Sequence, residues 1–272
     1  MKRAMTTGFG RLVLTGVLAA ALGAGAARAA DPLPPLRVGM ATNYPPLAFK
    51  EDGKLQGVEV DFAGRLGKEL GREVVVVEVP WEQLGKAMLE EKRIDMVMSG
   101  TSITEQRKER FAFTDPYLEV GQMALVRTAD FPALRDPAAM DLPTARVGFI
   151  RNTTGEEYAR HQLKRSTLQG FKTTEEGVAA LENNQIDYFI QDAPAVWRVT
   201  GGFFTENPKV KGLYRPLTQE YLAWVVPKEN TELLSQLNAV IKKWKADGTL
   251  DDVIDDWITV KKTSVEVIQH KP

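Results

Sequence analysis

Apolar and polar positions along the chain change period several times, and each change marks an element. Leu36–Ala41 is a short, mostly apolar run that predicts a strand. Phe62, Ala63, Leu66 and Leu70 recur at helical spacing and stop before Gly71, a helix face followed by a glycine terminator. Glu73–Val79 is valine-rich and predicts a strand covered on both faces. Trp81 to Lys92 reads as helix and Met96–Met98 as a buried strand. A second series follows: strands at Met123–Val126 and Val147–Ile150, a helix after Thr154, a helix capped by Thr173, and a strand at Tyr188–Gln191. Tyr221–Val226 adds one more strand. Leu233, Leu237, Val240 and Trp244 then line a helix that ends near Gly248. Alternating strand and helix signals predict an α/β fold with binding loops at the strand ends.

The first thirty residues belong to a different pattern. Lys2, Arg3 and Arg11 precede a small-apolar run from Leu12 to Ala26, and Ala27-Arg28-Ala29 offers a cleavage site, so residues 1–29 are predicted to be a signal peptide. The apolar run is short and rich in Ala and Gly for a membrane span, although an uncleaved anchor is the competing reading. The chain has no cysteine, which removes disulfides, thiol chemistry and a lipid acceptor after the signal. A freely diffusing periplasmic protein is therefore expected. Removing residues 1–29 takes away Lys2, Arg3, Arg11 and Arg28 and no acidic residue, moving the formal charge from -1 to -5. That balance argues against nucleic acid as a partner. The remaining chain is long for one core and suits two modest lobes. Composition alone marks no boundary between them.

Candidate chemistry gathers in Ile94–Tyr117. The Met96–Met98 strand empties into Ser99, Gly100, Thr101, Ser102 and Thr104, followed by a charged, helix-compatible run with Arg107 near its start. Hydroxyls, unpaired N–H groups at a helix start and a planar guanidinium fork suit a carboxylate. The competing reading is a capping box of Ser102 and Glu105 with Arg107 as a solvated charge. Asp192 poses the same choice: it follows a strand and precedes Ala193-Pro194, which suits an N-cap. Thr153 and Thr154, at the start of another helix, can cap or reach a ligand.

Several of these segments together resemble the family 3 solute-binding proteins, the periplasmic amino-acid receptors of ABC importers. The resemblance rests on Ile94–Tyr117, Val38-Gly39, Asn43-Tyr44-Pro45-Pro46, Gly53–Gly57 with Val60-Asp61, Gly148, Thr153–Glu156, Asp192-Ala193-Pro194 and Lys245–Leu250, and it spans roughly residues 36 to 258. It implies a type II, two-lobed periplasmic-binding-protein fold, each lobe a mixed sheet flanked by helices, with the ligand cleft between them. Lobe one would comprise residues 30–119 and 220–272, and lobe two residues 120–219. Short crossings near Glu119–Val120 and Thr218–Glu220 would act as hinges. The resemblance also implies that Arg107, with Gly100, Thr101 and Ser102, binds the ligand's carboxylate and that Asp192 binds its α-ammonium. Thr153 and Thr154 would assist from the second lobe. Tyr44 and Trp81 would pack on the ligand by apolar and cation–π contact, core burial being the alternative for Trp81.

Relatives selective for basic amino acids, and the glutamine receptor, carry an aspartate where this chain has Ala41. Arg151 stands just before Asn152-Thr153-Thr154, where it could meet an anionic or polar ligand end and would repel a cation, a surface arginine without ligand contact being the competing reading. Asn152 departs from the glycine usual in the family. A neutral or acidic amino acid is therefore favoured; should a cation bind, either another carboxylate such as Glu59 or Asp61 reaches the pocket or Arg151 points to solvent. The expected partners are the ligand and a membrane permease, with the receptor acting as a monomer and needing no metal or cofactor. An enzyme on the same fold, cyclohexadienyl dehydratase, is the alternative, but Ala195 stands where its acid is required. His161 and His270 form no triad or metal-ligand spacing. No effector domain is expected, since the sequence ends shortly after the matched region.

Overall fold

Parallel strands need crossover helices, and the helical stretches predicted between strands supply them. The computed structural model of the protein describes residues 33–201 and 209–258. The signal-peptide expectation for residues 1–29 lies outside this range, as does His270.

The chain begins with β1 (Leu36–Met40), then forms a small antiparallel sheet from β2 (Asn43–Tyr44), β3 (Ala48–Glu51) and β4 (Lys54–Gln56). Helix α1 (Val58–Leu70) leads to β5 (Val74–Glu78), a 3-10 turn at Trp81–Gln83 and α2 (Leu84–Leu89). After these come β6 (Met96–Ser102), α3 (Glu105–Lys108), β7 (Phe111–Phe113) and β8 (Leu118–Val120). One residue later β9 (Gln122–Arg127) opens a second sheet, which continues through α4 (Phe131–Leu134), β10 (Arg146–Ile150), α5 (Thr154–Gln162), β11 (Thr167–Phe171), α6 (Thr174–Glu182), β12 (Tyr188–Asp192), α7 (Ala193–Thr200) and β13 (Val210–Leu213). The chain then returns to the first sheet with β14 (Glu220–Pro227) and closes with α8 (Thr231–Asp247) and α9 (Thr249–Trp257).

The two large sheets share one plan. The first has the order β5-β1-β6-β14-β7, with β8 also pairing β14; the second has the order β11-β10-β12-β9-β13. Three strands are parallel in each, β5-β1-β6 and β11-β10-β12, and their next neighbours, β14 and β9, run antiparallel. The carboxyl ends of both parallel sets face one cavity, the usual ligand position in open α/β sheets. Where the chain passes between sheets, the two connections are tied together. Gln122 N donates to Thr218 Oγ1 at 2.8 Å, and Leu217 N donates to Gln122 O at 2.7 Å.

One core residue bears on the site. Phe62, Tyr117, Trp224 and Trp244 form an aromatic cluster, with Phe62 stacked on Trp244 at 5.6 Å. Beside it lies Glu59 of α1, fully buried. Its carboxylate accepts from Gly100 N at 2.8 Å, Tyr117 Oη at 2.7 Å and Trp224 Nε1 at 3.0 Å, so its oxygens are satisfied. Burial nevertheless pushes its pKa up.

Two expectations need correction. The valine run of β5 is an edge strand and not one covered on both faces: among the described residues it pairs only β1, and Val75 is 37% exposed. An unbroken apolar run cannot tell an edge from a centre, because sheet order is set by distant pairings. The Met96–Met98 strand also runs on to Ser102, so Ser102 is a strand residue and no capping box forms. Thr104 is the N-cap of α3 instead, its hydroxyl accepting from Arg107 N at 3.2 Å.

Candidate functional site

The cavity between the two sheets measures about 630 Å³, well within the range of small-ligand sites. The hydroxyl-rich end of β6 supplies its first wall. Ser99, Gly100 and Ser102 line it, while Thr101 does not: its side chain is buried away from the cavity wall, with no partner for its Oγ1. Gly100 stands at φ +60°, and a Cβ there would sit 2.6 Å from the Tyr44 ring, so only glycine suits the position. Tyr44 therefore lies directly on the strand end.

Arg107, on the short helix α3, is half-buried and lines the cavity. Its Nη1 donates to Ser102 O at 2.9 Å, and its guanidinium lies 5.4 Å from the centre of the Trp81 ring. Burial pulls its pKa down, while Glu157, Asp192 and Glu220 oppose that shift. Arginine remains a cation under such conditions.

The opposite wall comes from the second sheet. Asp192 occupies the N-cap position of α7 but makes no capping bond. Its carboxylate accepts instead from Tyr44 Oη, across the cleft, and from Gln122 Nε2. Burial raises its pKa to about 6, as does nearby Glu220, whereas the Tyr44 and Gln122 bonds and Arg107 work against the rise. The capping alternative for this side chain is thereby excluded. Thr153 caps α5 by position only, its hydroxyl donating to Ile150 O at 2.7 Å. Thr154 Oγ1 accepts from Gln122 Nε2 at 3.0 Å. Both threonines line the cavity.

Gln122 was not foreseen. It is buried, faces the cavity and joins Asp192 to Thr154. Its place follows from register, since Gln122 is the direct antiparallel partner of Asp192. No local motif announces that pairing.

Trp81, Ala41, Arg151 and Asn152 complete the outer walls. Trp81 Nε1 donates to Asn152 O at 3.0 Å, a bond across the cleft, so this residue is neither a core tryptophan nor a free wall. Asn152 adopts φ +60°, a backbone that glycine meets most easily and asparagine next. Its N–H donates to Glu156 Oε2 at 2.7 Å. Glu59 is sealed in the core, and Asp61 accepts from Trp257 Nε1 at 2.8 Å. Neither lines the cavity, so neither is the carboxylate for a cationic ligand. Ala195 is buried in α7, away from the cavity wall.

A profile of the bacterial extracellular solute-binding proteins, family 3, matches residues 36–260. Among curated proteins, the chain is 29% identical over 223 residues to the L-cystine-binding protein TcyJ of Escherichia coli (strain K12), covering 82% of each. It is 31% identical over 222 residues to a probable histidine-binding protein of Campylobacter jejuni, covering 80% of this chain and 83% of that one. Similar solved structures include a putative binding component of an ABC transporter from Wolinella succinogenes complexed with lysine (TM-score 0.77, 28% identity, 84% and 97% covered). Another is an ancestral amino acid-binding protein described as a precursor of cyclohexadienyl dehydratase (TM-score 0.74, 30% identity, 82% and 94% covered).

Proposed function

The chain belongs to the bacterial extracellular solute-binding proteins, family 3, and on that premise we propose that it captures an amino acid between its lobes and delivers it to the membrane permease of an ABC importer. One observation carries the reading: Arg107 from the first sheet and Asp192 from the second face the same cavity, a cation and an anion placed for one zwitterion. Arg107, with Ser102 beside it, takes the ligand's carboxylate through paired N–H groups. Asp192, oriented by Gln122 and Tyr44, takes the α-ammonium, and Thr153 and Thr154 at the start of α5 add donors. Tyr44 and Trp81 cover the aliphatic part. Ligand binding favours the closed form only through contacts that the open form lacks.

Ala41 offers no charge to a cationic side chain, while the outer wall carries Glu78 and Glu82 as well as Arg151 and Lys172; on the absence of a carboxylate at Ala41 the reading keeps a neutral or acidic amino acid ahead of lysine and arginine. The permease would recognise the closed monomer after export to the periplasm. The test is calorimetry with the twenty amino acids on protein unfolded, stripped of ligand and refolded. At least one should bind, and Arg107→Ala should cost it about 2–5 kcal/mol in a folded protein, the range for removing one partner of a buried charge pair. Wild-type affinity in that variant would end the carboxylate assignment. The dehydratase alternative predicts turnover of prephenate or arogenate; with Ala195 buried where an acid is required, none should appear.

A further inference from the structure

Glu220 is buried, with one carboxylate oxygen that meets no hydrogen-bond donor among the described residues. A buried acceptor left in that state costs stability, so its place between the two sheets calls for a reason. It opens β14, the strand on which the chain returns to the first sheet, and stands opposite Val120, the last residue of β8.

Its other oxygen begins a chain of hydrogen bonds that crosses both connections and ends at the cavity. Glu220 Oε1 accepts from Thr218 Oγ1 at 2.7 Å. A hydroxyl has one proton, so with that proton given to the carboxylate its oxygen is left as an acceptor, and Gln122 N donates to it at 2.8 Å. The Gln122 side chain then donates from Nε2 to Asp192 and to Thr154. Two glycines keep this path tight. A Cβ at Gly121 would collide with Thr218 O, and one at Gly155 would lie 2.8 Å from Gln122 Oε1.

Asp192 is faced by Tyr44 and Gln122, which donate to it, by Arg107, and by Glu220 and Tyr117. Burial is the chief reason its pKa stands at about 6; Glu220 adds to the rise, and the Gln122 bond opposes it. Glu220 and Thr218 therefore act on the same carboxylate with opposite sign, one by charge and one through Gln122.

Resting on the amino-acid reading, we propose that Glu220 and Thr218 are positioning residues for the α-ammonium: together they fix the backbone of Gln122, whose amide aims Asp192 at the ligand's nitrogen. Neither lines the cavity, so both act without touching the ligand.

Carbon-13 NMR of the side-chain carboxyls in ligand-stripped protein reads the Asp192 titration directly, with Asp192→Asn assigning the signal. Glu220→Gln keeps an acceptor for Thr218 and removes the charge, so the Asp192 midpoint should fall by about half a pH unit or more. Thr218→Val removes the hydroxyl and frees Gln122, so the midpoint should rise, and Thr218→Ser should restore it. A merely structural contact would move neither midpoint. Calorimetry at pH 7 with the twenty L-amino acids reads the consequence. Whichever of them binds wild type should bind Thr218→Val and Glu220→Ala about tenfold more weakly, and Thr218→Ser and Glu220→Gln should recover most of that loss. In Glu220→Gln the fall in affinity on acidification should begin at lower pH than in wild type. Circular dichroism checks that each variant is folded. An Asp192 midpoint that stays, or moves the other way, in either Glu220→Gln or Thr218→Val would overturn the proposal and leave the amino-acid receptor standing. Wild-type affinity in Thr218→Val or Glu220→Ala would do the same. Midpoints that move as expected, with no binding by any of the twenty, would sink the receptor reading and leave the relay from Glu220 to Asp192 in place.

Discussion

Asp192 shows how a single residue can be costly to the ligand-free protein and useful to its function. Its pKa of about 6 stands above the ordinary 3.8 because burial disfavours the ionised form. The folded, ligand-free protein therefore holds this proton more tightly than the unfolded chain, and this group lowers stability as pH rises from 3.8 to about 6. The shift corresponds to about 3 kcal/mol at neutral pH. Asp192→Asn should raise the melting temperature of ligand-free protein at pH 7 while weakening ligand binding, and an unchanged or lower midpoint would contradict the burial account. An ammonium beside the carboxylate pulls the pKa back down, so binding needs the ionised form. Affinity should be flat above about pH 6 and fall towards tenfold per pH unit below it. Calorimetry between pH 4.5 and 8 on wild type and on Asp192→Asn tests this. The wild-type fall should be absent in the variant.

At the scale of elements, Glu59 joins α1 to both the core and the site. It binds Gly100 at the end of β6, Tyr117, and Trp224 on β14 through one buried carboxylate. Glu59→Ala leaves three buried donors without an acceptor, so the loss should be about 3 kcal/mol or more in urea unfolding. A loss under about 1 kcal/mol would mean that water replaces the carboxylate. The same elements show what the sequence could and could not reveal. The helix faces of α1 and α8 were legible, because Phe62, Ala63 and Leu66, and Leu233, Leu237, Val240 and Trp244, are buried at the spacing read. Thr173 caps α6 as read, accepting from Glu176 N at 3.2 Å. Arg107 and Asp192 stand out as candidates from the local pattern, Tyr44 and Trp81 from the family resemblance, and all four line one cavity. Gln122, Glu78 and Lys172 were not, since what brings them there is strand order and register. Thr101 is a related case: a run of small hydroxyl residues looks uniform in sequence, but Ser99, Gly100 and Ser102 line the cavity and Thr101 does not. The edge position of β5 is invisible for the same cause as Gln122, a pairing decided far along the chain.

At the scale of the whole molecule, the two lobes are latched by contacts among the protein's own side chains. Tyr44 reaches Asp192, Trp81 reaches the Asn152 carbonyl, and Arg198 on α7 reaches Glu51 on β3 at 3.2 Å while lying 5.6 Å from the centre of the Phe49 ring. The first two lie in the cavity wall, and a ligand changes their surroundings. The Glu51–Arg198 pair lies outside that wall, so it acts on closure alone. Both side chains are about half exposed, at 56% and 50%, and such pairs contribute at most about 1 kcal/mol. Arg198→Ala should therefore weaken ligand binding no more than about fivefold, mainly by faster release, because an open form that is easier to reach lets the ligand leave. Wild-type affinity should fall with added salt by a similar factor, and that dependence should shrink in Arg198→Ala. Small-angle scattering on ligand-free protein should show a larger radius of gyration for the variant. Unchanged scattering together with unchanged release would show that closure is held inside the cavity, by Tyr44 and Trp81, and that the outer pair contributes nothing to it.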